Sequence, residues 1–280
     1  MFDESRSAAK TYFKENFADN WKNIFDNLND EEDWFAVVYS SSYVLSLDGT
    51  KILLDPSFRN PAYLDCVSDR ASEDFKKVDA ILISHAHDDH FCPRVAKISK
   101  GTEVLWYVPD NIEKKHIDKY GIGSEYLHIV SQGESFNIGN VKITPYNMPH
   151  TDADGTNPMP EYGYLIESSK RRLFFPVDIR NYDLSLIPQN LGKLDTVFLH
   201  VWLGRGNALN FPCEPTLTDF CRYAAAYNAE KVSLAHIYEV ERNMTDMWTY
   251  THCGAIMDKL MCISPETEVF APKYGKKYRF

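Results

Sequence analysis

Residues 80–90 read AILISHAHDDH. The first five have the length and apolar content of a buried strand, and the chain leaves them directly into His85, His87, Asp89 and His90. Histidine makes up 9 of 280 residues. An H-x-H-x-D-H run therefore arises by chance in such a chain less than about once in a thousand. Imidazole and carboxylate are the donors that zinc, manganese and iron take. Alternate spacing puts His85 and His87 on one side, while Asp89 and His90 point elsewhere as the chain turns, so one segment can serve two ions. The competing reading, a solvated polar loop, does not account for this density of donors.

Working outward, the same pattern recurs. KILL ends in Asp55, VKITPYNMP runs into His150, RLFFPV ends in Asp178, TVFL in His200 and KVSLA in His236. Strands that terminate in ligand-type side chains deliver them to one rim of a sheet, which is how α/β enzymes build sites. Other strand-like runs are FAVVYS (35–40), YVLSL (43–47), EVLWYV (103–108), YLHIV (126–130), ESFNI (134–138), YGYLIES (162–168) and the terminal KYGKKYRF. LDGT at 47–50 predicts a hairpin turn, because Asp-Gly accepts positive φ. Helices are expected near 93–100, 111–120, 215–228 and 246–262. Residues 4–28 predict an amphipathic helix with Phe13, Phe17, Trp21, Phe25 and Leu28 on one stripe. That stripe either packs on its own domain or forms a dimer contact. The organisation expected is an N-terminal helical extension (1–34) and one α/β domain (35–280).

Composition narrows the function. Apolar residues at 44% and charged residues at 25% are those of a globular chain, and exclude a disordered, collagen-like or coiled-coil one. The net charge of −10 argues against a nucleic-acid binder, whose affinity rests on neutralising phosphates. No apolar run is long enough for a membrane span and the first residues lack a signal-peptide core. With six Cys and no CxxC pair, free thiols and a cytoplasmic location are expected.

AILISHAHDDH resembles the signature of the metallo-β-lactamase-fold hydrolases. Asp55 in KILLD, His150 in NMPHTD, Asp178 in FFPVD and His236 in SLAHI resemble the family's other motifs, in order, over about residues 36–272. The separations of 65, 28 and 58 residues between His85, His150, Asp178 and His236 suit it. The resemblance implies an α/β (α+β) fold, a four-layer αββα sandwich with the site between the sheets at one edge. It implies two divalent ions, zinc first, with manganese or iron as alternatives. His85, His87 and His150 would hold one ion, and Asp89, His90 and His236 the other. Asp178 would bridge them, and Asp55 would fix the loop geometry. Asp178 stands where the antibiotic-destroying members have Cys, and His87 where the flavodiiron proteins have Glu. There is no nuclease-type insertion and no helical domain after His236, as a glyoxalase II would have. The chain is most similar to the compact branch of ascorbate-6-phosphate lactonase and related phospholipid phosphodiesterases. It departs from the usual Gly-Asp-Thr/Ser at the fourth motif, having Val177-Asp178-Ile179.

The function expected is hydrolysis of a small, anionic ester or lactone by a water that the metals bridge and acidify, with a phosphodiester as the other substrate class and a non-catalytic metal-binding or sensing module as the reading from a different class. Candidate catalytic residues are Asp89, which would relay a proton, Asp55 and His200. Arg180 and Arg205 are candidates for reading substrate charge, since guanidinium matches phosphate and carboxylate. Residues 151–162 are placed to form either a lid over the site or an ordinary surface loop. Partners expected are a small-molecule substrate and a second copy of the chain, with no nucleic acid and no membrane insertion.

Overall fold

The computed structural model describes residues 5–28, 32–58, 61–151 and 156–280. In chain order the strands are β1 (Trp34–Tyr39), β2 (Ser42–Leu47), β3 (Thr50–Leu54), β4 (Ala80–Leu82), β5 (Leu105–Pro109), β6 (Leu127–Val130), β7 (Phe136–Ile138) and β8 (Val141–Asn147). They continue as β9 (His150–Thr151), β10 (Pro158–Met159), β11 (Tyr162–Glu167), β12 (Arg172–Val177), β13 (Leu194–His200), β14 (Ala229–Ala235), β15 (Glu268–Phe270) and β16 (Lys277–Arg279). The helices are α1 (Arg6–Phe25), α2 (Pro61–Asp65), α3 (Ser68–Phe75), α4 (Pro93–Ile98), α5 (Lys114–Tyr120), α6 (Thr216–Ala226) and α7 (Tyr250–Ile263).

Two seven-stranded sheets face each other, ordered β16-β1-β2-β3-β4-β5-β6 and β15-β14-β13-β12-β11-β8-β7, with β9 and β10 pairing apart. Aromatic rings from facing strands fill the space between them: Tyr43 meets Phe175 edge-on at 5.3 Å, and Phe35 meets Phe198 at 4.9 Å. Helices joining the parallel strands lie outside, giving the αββα layering. The LDGT turn forms as its sequence demands, with Asp48 and Gly49 both at positive φ (47° and 80°). The last strand, β16, pairs antiparallel with β1 and forms one edge of that sheet.

Helix α1 is shorter than the stripe predicts at both ends. Its N-cap is Ser5, whose side chain accepts from the Ala8 N–H. Phe13, Phe17 and Trp21 are buried. Phe17 stacks on Tyr63, Phe13 meets Tyr39 edge-on, and Trp21 Nε1 donates to Asp74 Oδ2 at 2.8 Å. The stripe thus packs against the chain's own body.

The parallel strands position the site. β3 and β4 run parallel in one sheet, and β12, β13 and β14 in the other. Their C-terminal ends therefore gather on one rim, and each ends in, or is followed within three residues by, a donor: Asp55, His85, Asp178, His200 and His236. The strands stop because the backbone turns sharply, with Asp55, Val177 and His236 at φ 47°, 65° and 62°. Positive φ at residues with a side chain is costly and persists where the surrounding packing holds it. Links between the sheets provide that hold: Tyr162 N–H donates to Ser84 O at 3.0 Å and His236 N–H to Ser40 O at 3.1 Å. Tyr164 Oη donates to Ile83 O at 2.6 Å.

Candidate metal centre

On this rim the rings of His85, His87 and His150 converge. His87 Nδ1 lies 3.0 Å from His85 Nε2 and 3.1 Å from His150 Nε2. A proton on His87 Nδ1 can be aimed at one of those neighbours, whereas a cation satisfies all three nitrogens. Tetrahedral zinc with bonds of about 2.0–2.1 Å sets its ligands about 3.3 Å apart, close to the spacing here. The far side of the His85 ring agrees. Ser84 Oγ donates to Asp55 Oδ2 at 2.6 Å, which leaves it to accept from His85 Nδ1 at 2.9 Å. With its proton on Nδ1, His85 turns a lone pair at Nε2 toward the cluster.

A second group, His90, Asp178, His200 and His236, brings four buried donors within 4.8 Å of one another. Asp55 organises it from behind. Its Oδ1 accepts from Ser84 N–H at 2.8 Å, and its Oδ2 lies 2.7 Å from His90 Nδ1. His90 Nε2 then faces inward, 3.5 Å from Asp178 Oδ2, with no hydrogen-bond partner among the described residues. His236 Nε2 and His150 Nδ1 are likewise buried without one. Buried polar atoms without partners are rare, and His90 Nε2 beside Asp178 and His236 Nε2 beside Asp89 each point a free lone pair or proton at a carboxylate a cation would share. The donor set fits divalent metal.

The electrostatics keep the imidazoles available. Burial first, then the neighbouring rings, pushes His85 well below the ordinary imidazole range, and burial lowers His87. Burial takes His150 down to about 3 and His236 down to about 4. Neutral imidazole is the ligating form. Burial would raise Asp178, but His236 and His90 outweigh it and hold the carboxylate low. His90 goes the other way: burial opposes its charge, yet Asp178 and Asp55 raise it well above 6.5.

Asp89 lies beside the second group, with Oδ2 3.6 Å from His236 Nε2 and 2.9 Å from Arg242 Nη2. Asp55 sits behind His90, so its effect reaches the cluster through that ring. His200, at the end of β13, has Nδ1 2.7 Å from Asp178 Oδ1 and belongs to the donor cluster. Arg180 and Arg205 line a cavity of about 630 Å³ that also reaches His87, Asp89, Trp202 and Arg242. Of the lid segment 151–162, residues 152–155 lie outside the described residues. His252 is buried at the start of α7, bonded to Thr249 and Ala208.

Three further residues join the site in three dimensions. Glu161 is buried. Its Oε1 accepts from Asp178 N–H at 3.0 Å, and its Oε2 stands 3.1 Å from His85 Nδ1, off the hydrogen-bonding line. Glu239 and Arg242 pair with each other, and Glu239 Oε2 is 3.6 Å from His236 Nε2. The spacing His236-x-x-Glu239 was a usable signal, since it keeps a second donor near the first. Glu161 and Arg242 carry no local signature.

Known proteins resemble this chain in sequence family and in fold. The family model described as Beta-lactamase superfamily domain matches residues 50–237. A curated protein of Pyrococcus furiosus is 31% identical over 133 residues, covering 44% of this chain and 50% of its own. A protein of Pyrococcus horikoshii named a metal-dependent hydrolase is 30% identical over 160 residues, 54% of this chain and 64% of its own. The chain thus spans about half to two thirds of the length of these relatives. The metallo-beta-lactamase fold protein YhfI of Bacillus subtilis superposes with a TM-score of 0.63 at 15% identity, over 89% of this chain and all (100%) of that one, a likeness of fold.

Proposed function

Because the chain belongs to the beta-lactamase superfamily domain family, we propose that it is a metal-dependent hydrolase of a small anionic ester or lactone. The observation that carries this reading is the convergence of three imidazole nitrogens at 3.0–3.1 Å, with His85 held in the ligating tautomer from behind. His85, His87 and His150 would hold one divalent ion, and Asp89, His90 and His236 a second, with Asp178 available to both and His200 hydrogen-bonded to it. Such ions, when bound, polarise the scissile group and make water acidic near neutral pH.

The chain's own residues supply the rest. Asp55 and Ser84 fix the rings of His85 and His90, and Glu161 anchors the Asp178 backbone. Asp89, at the cavity wall, is the carboxylate placed to accept and return a proton. Arg180 and Arg205 set positive charge at the mouth of an acidic protein, where an anionic substrate needs it. The same arginines favour a phosphodiester as the second reading, since guanidinium matches phosphate as well as carboxylate. The native metal is proposed to be zinc, and the cytoplasm the proposed location; among the described residues no helix is long and apolar enough to cross a membrane.

The test is a turnover screen of lactones, carboxylic esters and phosphodiesters, charged and neutral, before and after chelation. The reading expects hydrolysis of an anionic member that chelation abolishes and zinc or manganese restores. Arg180→Ala or Arg205→Ala should raise KM for that substrate and leave metal content unchanged. Turnover indifferent to chelation would refute the reading.

A further inference from the structure

His236 has two faces. Its Nδ1 lies 3.7 Å from Asp178 Oδ1, on the side of the four-donor cluster. Its Nε2 points the opposite way, 3.6 Å from both Asp89 Oδ2 and Glu239 Oε2, and the three donors form a group of their own. That nitrogen is buried and has no hydrogen-bond partner among the described residues. Two carboxylates and an imidazole so arranged would suit a divalent ion.

The same two oxygens already carry a cation. Arg242 Nη2 is 2.9 Å from Asp89 Oδ2, and Arg242 Nε contacts Glu239 Oε2. The guanidinium fork thus straddles the two oxygens that face His236, and its side chain is only 19% exposed. We propose that Arg242 is a resident cation on the Asp89–Glu239 face of the centre, so that a divalent ion using Asp89 binds in competition with it and the two halves of the centre fill unequally. This rests on the reading of the rim as a metal centre. An ion on those oxygens would stand beside a positive charge where little water screens it, so it must displace the guanidinium or bind weakly. The imidazole triad, made of neutral rings, carries no such penalty and fills first.

The alternative is that Arg242 merely steers Asp89 as a ligand, which predicts the opposite effect of removing it. Full-length protein, stripped with chelator, is titrated with Zn²⁺ by calorimetry, with bound zinc counted by elemental analysis. Wild type should take a first equivalent tightly and a second more weakly. Arg242→Gln should tighten the second by about tenfold or more and leave the first within about threefold. Arg242→Lys keeps the charge but cannot straddle both oxygens, so it should tighten the second by a smaller factor, and it carries the test if the Gln variant does not fold. A second-equivalent affinity unchanged or weakened in the folded variants overturns the competition while leaving the metal centre intact. A wild-type protein that takes up no ion overturns the metal centre itself, and this inference with it.

Discussion

Asp55 shows what a single side chain contributes at this rim. It touches no ring nitrogen that faces the cluster, yet it accepts from Ser84 N–H, Ser84 Oγ and His90 Nδ1. Through them it sets two imidazoles at once. Groups that orient ligands from behind are typically worth about 10–100-fold in metal affinity. Asp55→Asn should therefore weaken zinc binding by about that factor, read by competition with a chromophoric chelator. Affinity within twofold of wild type would show that backbone geometry alone sets the rings. Asp55 was legible in the sequence because it ends an apolar run, as were His85, Asp178, His200 and His236. Glu161 was not. It precedes β11 by one residue in a polar segment, and only the crossing of the sheets brings it to His85 and the Asp178 backbone. Arg242 was hidden for the same reason, since its partner Asp89 lies 153 residues away in the chain.

At the scale of elements, alternation and strand endings carried most of the reading, because a strand buried on both faces has few ways to look polar until it ends. The weaker signals were the short helices. α3 (SDRASEDF) buries only Ala71, Asp74 and Phe75, so it presents no apolar stripe to a reader of the sequence. Asp74 is there because it receives Trp21 Nε1 and pairs with Arg70 and Lys77, a buried carboxylate that ties α3 to α1. Trp21 also stacks on Phe25 at 4.4 Å. Trp21→Ala removes a buried ring and leaves Asp74 short of a donor, and should cost about 3–5 kcal/mol. Urea unfolding of the variant should shift its midpoint while keeping a single transition. A loss under about 1 kcal/mol, or a separate early transition for α1, would mean that the helix is appended to the domain rather than part of its core.

For the whole molecule, the gathering of neutral imidazoles has a pH signature. His150 and His236 are held at about 3 and about 4 against an ordinary 6.5, and His85 and His87 are also lowered. Below pH 6.5 the unfolded chain takes up protons that the folded rim refuses. The stability these four contribute is complete above that pH and is lost as pH falls toward their folded values. His90, raised by Asp178 and Asp55, works in the opposite sense, its contribution being full below 6.5 and lost as pH rises through its folded value. Four rings against one predict that metal-free protein is less stable to urea at pH 5 than at pH 7. Equal or greater stability at pH 5 would mean that the rim opens and admits water. The central claim, that the rim is a metal centre built first on the imidazole triad, is tested most directly by anomalous diffraction at the zinc edge from crystals grown with zinc. A peak is expected about 2.0–2.1 Å from His85 Nε2, His87 Nδ1 and His150 Nε2. Anomalous density confined to surface carboxylates, with the three rings still packed against one another, would contradict it.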